Sequence, residues 1–229
     1  MESTTLSRAE LSAAVEDAGW RLILGDLCTQ AATESLRQAA EAAAALAAVE
    51  GITANAVTVT GSGPRTELRL DARHDRLLVT LADVLRKGRA EATAVEDARR
   101  LTARIRELGL IPEPAQSQTS EIAIDALDIP AVLPFWRAVL GYVDESGDAI
   151  VDPAGKGPAF WFQQMDAPRP QRNRIHIDVS VPHDQARDRI EATLAAGGTI
   201  VGDEEAPAFW VLADPEGNEA CICTWQARN

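Results

Sequence analysis

The stretch "NRIHIDVSVP", Asn173 to Pro182, restarts a pattern that the chain has already run once. It alternates as a strand does. Ile175, Ile177, Val179 and Val181 share one face, and His176, Asp178 and Ser180 share the other, because successive strand side chains point to opposite sides. Next comes "HDQARDRIEATLAAGG", a helix ending in two glycines. Then "AFWVLADPEGNEACICTW" reads as a hairpin turning at Pro215–Asn218. The same order stands upstream. "EIAIDALDIPAVLPFWRAVLGY" gives a strand and a helix from Pro130 to Gly141, and "DAIVDP" and "PAFWFQQM" give strands around an "AGKGP" turn. Two successive β-α-β-β(-β) units without sequence identity form a structural repeat.

Upstream of the repeat, "IPEPAQSQTS" (Ile111–Ser120) has two prolines followed by small polar residues, the composition of a domain boundary. Residues 1–112 are expected to form one domain, 113–120 a linker and 121–229 a second domain. The first domain reads α-ββ-α-ββ-α. "SRAELSAAVEDAG" has Ser7 as N-cap with Glu10 completing a capping box. "WRLILGDLCTQA" is a hairpin turning at Gly25-Asp26, and "TESLRQAAEAAAALAAVEG" is a helix ending at Gly51. "RTELRLDARHDRLLVTL" is a second hairpin, and "TAVEDARRLTARIRELG" is a helix capped by Thr93. The expected class is α+β throughout.

The composition excludes some partners. Lys plus Arg is 22 against 35 Asp plus Glu, a net charge of −13 among 229 residues. Nucleic-acid backbones and anionic membranes select clustered Lys and Arg, so neither is expected as a partner. The Ala-rich run before Gly51 is interrupted by Glu41 and too weakly apolar to span a bilayer. The opening "MESTTLSRAEL" lacks the basic start and apolar core of a signal peptide. Three cysteines, Cys28, Cys221 and Cys223, cannot all pair within one chain. A cytoplasmic location is expected.

Residues Gly19-Trp20, Pro64 and Thr93…Asp97, with the α-ββ-α-ββ-α order, resemble the pterin-4a-carbinolamine dehydratase family over about residues 6–110. The family's reaction uses a His-His-Pro-Asp run and a further His. Aligned through Pro64, this chain has Ser62-Gly63-Pro64-Arg65 at the first and Asp83-Val84 at the second. Acid–base work on a carbinolamine needs a titratable side chain in reach. The resemblance therefore implies a retained scaffold with lost chemistry. His74, the only His of this half, sits in a hairpin turn. The family associates through its sheets, and an outer face read as apolar in "LRL" and "LLVTL" led us to expect a homodimer formed by this half.

The C-terminal half carries "DIPAVLPFWRAVLGY", "NRIHIDVSVP" and "ADPEGNEACIC", and over residues 119–227 it resembles the glyoxalase/bleomycin-resistance/extradiol-dioxygenase (vicinal oxygen chelate) superfamily, within it the glyoxalase-like subgroup. The resemblance implies paired βαβββ units curled around a cleft that holds a small molecule, often chelated to a divalent metal. Its ligand positions fall on Glu121, His176 and Cys221, with Gln163 or Gln164 at the second position; Glu219 is read as out of register and pointing away. Such a Glu/His/Cys set suits zinc or a similar divalent metal.

Parity adds cleft candidates. Glu121, Ala123 and Asp125 lie opposite Ile122 and Ile124, and Trp161 and Gln163 lie opposite Phe160 and Phe162. Cys221, Cys223 and Trp225 share a face. Strand geometry disfavours a Cys221–Cys223 disulfide, since residues two apart are about 6.5–7 Å apart at Cα, at or beyond the usual disulfide limit. Metal ligation by Cys221 and plain packing of a small buried group both stand. The ligand-binding set is Trp161, Gln163, Arg174, Asp178, Trp210, Cys223 and Trp225. Arg172 and Arg174 offer bidentate contacts to a carboxylate, and the tryptophans offer apolar walls. His183, after Pro182, reads as a residue of a helix start, and Trp136 as core.

Three functions follow. One is a metal-free small-molecule binding protein with an N-terminal oligomerising domain. Another is a metal-dependent lyase, isomerase or dioxygenase using the same cleft. The third, a 4a-hydroxytetrahydrobiopterin dehydratase, is disfavoured by the missing histidines.

Overall fold

The computed structural model describes residues 5–50, 52–54, 67–85, 89–168, 177–224 and 226–227. The chain divides into two compact units, Met1–Thr119 and Ser120–Asn229.

The first unit runs β1 (Thr5–Ser7), α1 (Arg8–Glu16), β2 (Arg21–Ile23), β3 (Asp26–Ala32), α2 (Leu36–Ala47), β4 (Thr53–Ala54), β5 (Glu67–Ala72), β6 (Arg76–Ala82), β7 (Arg89–Glu91) and α3 (Thr93–Glu107). Strands β2-β3-β6-β5-β4 form one sheet, and β1 pairs with β7 apart from it. Relative to the expected order, three short strands are added: β1, β4 and β7.

Helix α1 starts as the capping box predicts. The Ser7 hydroxyl accepts from the Glu10 N–H at 3.4 Å, and the Glu10 carboxylate accepts from the Ser7 N–H at 2.8 Å. Helix α3 does not: its N-cap is Ala92, which makes no side-chain cap, and Thr93 is already the first helical residue. The first hairpin turns at Leu24-Gly25, one residue earlier than expected, since Asp26 pairs with Ile23. The Asp26 carboxylate then accepts the Asp83 N–H at 2.8 Å, joining this turn to the end of β6.

The three helices and one sheet face share a core. Leu11, Val15, Ala39, Leu46, Leu101 and Ile105 pack with Leu27, Leu68, Leu77, Val79 and Leu81. This corrects the expected apolar outer face. The leucines of "LRL" and the alternate residues of "LLVTL" point to the helices, and register leaves Glu67, Arg69, Asp71, Leu78 and Thr80 on the other side. The hydrophobic argument for self-association through this sheet falls away, because its apolar side chains are already buried within one chain. Trp20 is fully buried, donating from Nε1 to Thr102 Oγ1 at 2.8 Å, and Thr102 donates on to the Ala18 carbonyl.

Residues beyond α3 are docked on the first unit. Pro112 bridges to Ala31, the Glu113 N–H donates to the Gln30 carbonyl at 2.7 Å, and a 3-10 turn follows at Pro114–Gln116. Gly19 is required here. Its φ is +84°, and an added Cβ would lie 2.7 Å from Pro112 Cβ.

The second unit runs β8 (Glu121–Ala126), α4 (Ile129–Leu140), β9 (Val143–Ser146), β10 (Ala149–Val151), β11 (Ala159–Gln164), β12 (Ile177–Ser180), α5 (Ala186–Ala195), β13 (Thr199–Gly202), β14 (Phe209–Ala213) and β15 (Glu219–Cys223). It forms two four-stranded sheets of one topology, β8-β11-β10-β9 and β12-β15-β14-β13. In each, the first strand runs parallel to the last, which the intervening helix permits. Helix α4 is capped by Asp128 and ends at Gly141, whose φ of +73° closes it in the left-handed conformation.

One core serves both sheets. Phe135, Trp136 and Val139 of α4 and Ile190 of α5 pack with Phe160, Phe162, Leu212, Ala220 and Ile222. The hairpin turn after β14 ties the two repeats together. Asp214, 4% exposed, accepts from Trp136 Nε1 at 3.0 Å, from the Glu216 and Asn218 N–H groups at 2.9 Å each, and from Asn218 Nδ2 at 2.8 Å. The Glu216 carboxylate reaches the other way, accepting the Leu127 and Asp128 N–H groups at 2.9 and 2.7 Å. No helix among the described residues is long and apolar enough to cross a membrane.

Candidate functional site

The face of each sheet turned away from α4 and α5 is set by register. On β8 and β11, Glu121 stands beside Ala159, Ala123 beside Trp161, and Asp125 beside Gln163. The core side takes Ile122, Ile124, Phe160 and Phe162. Glu121 and Gln163 are exposed, and Trp161 and Asp125 are half-buried. Gln164 belongs to the other face and is spent structurally, donating from Nε2 to the Leu127 carbonyl at 2.7 Å.

On the second sheet, Asp178 stands beside Cys221, Ser180 beside Cys223, Val211 beside Cys221, and Phe209 beside Cys223. Asp178 is exposed and Cys221 is 5% exposed. The Cys221 thiol is hydrogen-bonded to the Asp178 side chain. Burial, then that bond and the Asp178 charge, push the thiol up to about 12. The three cysteines are free thiols. Cys28, in the first unit, is pushed up to about 11 by burial and by Asp26. None of these has the electropositive, accessible setting of a reactive thiolate.

Two expectations are corrected by this geometry. Trp210 pairs with Ile222 and packs against the core on the helix side, so it is separated from the face of Cys221. Glu219 shares the face of Cys221, two residues before it, and its charge acts on that thiol. It does not point away, because i and i+2 of a strand cannot lie on opposite sides. Cys223 keeps the expected face but is 1% exposed. His176, Arg172, Arg174 and Trp225 lie outside the described residues, as do Ser62-Gly63-Pro64-Arg65 of the first unit. His74 is exposed in its turn.

Charge is distributed unevenly. Residues 120–229 hold 18 Asp and Glu against eight Lys and Arg, so most of the net −13 lies in the second unit. Strands β8 to β15 contain no Lys or Arg at all. The basic side chains Arg137 and Arg189 are on the helices, where they meet Asp144 and the Val139 carbonyl.

The described donors do not fit a resident divalent metal. Among the described residues no group of three or more His, Cys, Asp or Glu side chains is gathered to hold one. Cys221 is buried and its proton is committed to Asp178, and Gln163 is a neutral amide.

Known proteins bear on the second unit. Residues 121–223 match the family described as Glyoxalase-like domain. No curated protein matches the chain. Among solved structures, the chain is similar to a glyoxalase/bleomycin resistance protein/dioxygenase family enzyme from Burkholderia phytofirmans PsJN, at 19% identity and a TM-score of 0.39, over 47% of this chain and 98% of that one. A glyoxalase-related enzyme from Fulvimarina pelagi matches at 17% identity and a TM-score of 0.38, over 47% and 88%. A fosfomycin resistance protein from Listeria monocytogenes, solved with Mn(II), matches at 14% and 0.38, over 47% and 89%. At these identities and scores no activity is carried over. The repeated βαβββ topology of the second unit thus coincides with the stretch, residues 121–223, that matches the glyoxalase-like domain family.

Proposed function

We propose that the C-terminal domain binds a small organic molecule on the helix-free faces of its two sheets. One observation carries this reading. The helix side of each sheet is closed by apolar side chains, while the other side presents Glu121, Asp125, Gln163, Trp161 and Asp178, with no basic residue on any of the eight strands. Carboxylates accept hydrogen bonds and an indole supplies an apolar, polarisable wall. A ligand that combines an apolar surface with polar hydrogen-bonding groups suits such a face. His176, Arg174 and Trp225, which lie outside the described residues, are the further residues expected to contribute.

Titration with a panel of small amines, carboxylates and neutral amides, followed by calorimetry, tests it. His176→Ala and Trp161→Leu should weaken whichever ligand binds by tenfold or more, which is about 1.4 kcal/mol. Cys223→Ala, altering a residue that is 1% exposed, should leave it unchanged. Equal behaviour of the three variants would remove the basis for placing the site here.

A further inference from the structure

The position of Cys221 is where the superfamily resemblance implies a metal ligand, and the structure gives this residue other work. Strands β12 and β15 run parallel, with Asp178 directly beside Cys221. Both side chains lie on the helix-free face, and the two are hydrogen-bonded. A carboxylate has only acceptor sites when ionised, so the thiol is the donor. The two differ in exposure: Asp178 is exposed and Cys221 is 5% exposed. Val211 of β14 flanks the sulfur on its other side, and Cys223 and Glu219 are its same-face neighbours along β15.

We infer that Cys221 is a positioning residue for Asp178 and not a metal ligand. A metal binds sulfur as the thiolate, through a lone pair that the ion can approach. Here the sulfur is nearly buried and its proton is bonded to Asp178. To coordinate an ion it would have to give up that bond and gain exposure. What the pair does provide is a thiol donor that holds the Asp178 carboxylate in place from the neighbouring strand. That Asp178 receives a donor group of an organic ligand rests on the function proposed above; the thiol–carboxylate pair does not.

Infrared spectroscopy of the S–H stretch in the full chain reads the bond directly, since few other protein groups absorb in that window. The wild-type minus Cys221→Ser difference isolates the Cys221 band. It should lie at the low frequency of a hydrogen-bonded thiol. In Asp178→Ala it should move to higher frequency, and in Asp178→Asn, which keeps one acceptor oxygen, it should lie between. A wild-type band already at the frequency of a free thiol, or one that Asp178→Ala leaves in place, overturns the inference. The wild-type position is diagnostic even where a variant folds poorly.

Cobalt(II) alone, added to the full chain, is the second probe. No sulfur-to-cobalt charge-transfer absorption is expected, whether cobalt binds through oxygen or imidazole or does not bind. A charge-transfer band that Cys221→Ser abolishes overturns the inference. Failure of every small molecule to bind would count against the proposed function and would leave both spectroscopic outcomes as they stand.

Discussion

Replacing Asp214 by Asn changes two atoms' hydrogen-bonding character and almost no volume, yet it should cost several kcal/mol. The carboxylate is 4% exposed and serves four donors. Its Oδ1 takes the Glu216 and Asn218 N–H groups, and its Oδ2 takes Trp136 Nε1 and Asn218 Nδ2. An Asn can present its oxygen to only one pair. If it keeps the turn, its NH2 faces the Trp136 and Asn218 donors, so two bonds become donor–donor contacts. Hydrogen bonds to a charged group contribute about 1.5–3 kcal/mol, and a buried donor left without an acceptor costs about 1–3 kcal/mol. Asn218 Nδ2 can turn toward water, whereas Trp136 is buried against Phe160 and cannot. The sum for Asp214→Asn is roughly 3–5 kcal/mol. Trp136→Phe should cost less, since Asp214 keeps three partners, and the double variant should cost less than the two added together. Urea unfolding followed by circular dichroism and tryptophan emission measures this, with the two units fitted as separate transitions. An Asp214→Asn protein within 0.5 kcal/mol of wild type would refute the role given to this turn in holding the two repeats together.

Ser7→Ala should destabilise the first unit by about 1 kcal/mol through loss of its capping box, read from the same unfolding curves. Burial raises the Asp26 carboxyl above its ordinary 3.8, so in the folded chain it holds a proton to higher pH than in the unfolded chain. A raised carboxyl favours folding below the unfolded value and loses that contribution as pH climbs through the folded one. Asp26→Asn, which still accepts from the Asp83 N–H, should therefore raise the urea midpoint at neutral pH. The gain should shrink as pH falls toward the carboxylate range; an equal gain at every pH would argue against burial as the cause. Pterin carbinolamine turnover should be undetectable, because Ser62-Gly63 stand where the dehydratase resemblance implies histidines. Turnover that disappears on deleting residues 1–112 would show otherwise.

The sequence by itself determined the parts that depend on near neighbours. The capping box at Ser7, the αL glycine ending α4 and the alternation of β8, β11 and β12 are each local rules of backbone geometry, legible in a few residues. The repeat was legible because the same elements recur in the same order, and it carried the resemblance that the family match to residues 121–223 supports. Turn and cap edges shifted where two choices differ little: Leu24-Gly25 for Gly25-Asp26, and Ala92 for Thr93.

Only the tertiary structure decided what lies across strands. Parity placed Asp178 and Cys221 on polar faces, but only the parallel register of β12 and β15 sets them side by side, within reach of a thiol–carboxylate hydrogen bond. The antiparallel pairing of β14 with β15 sets Trp210 beside Ile222, on the core side. In the first unit, helices approaching one side of the sheet claimed the leucines of β5 and β6, and so decided which face was apolar. Register and helix placement follow from long-range burial, where one strand's pattern is consistent with several partners and packing selects among them.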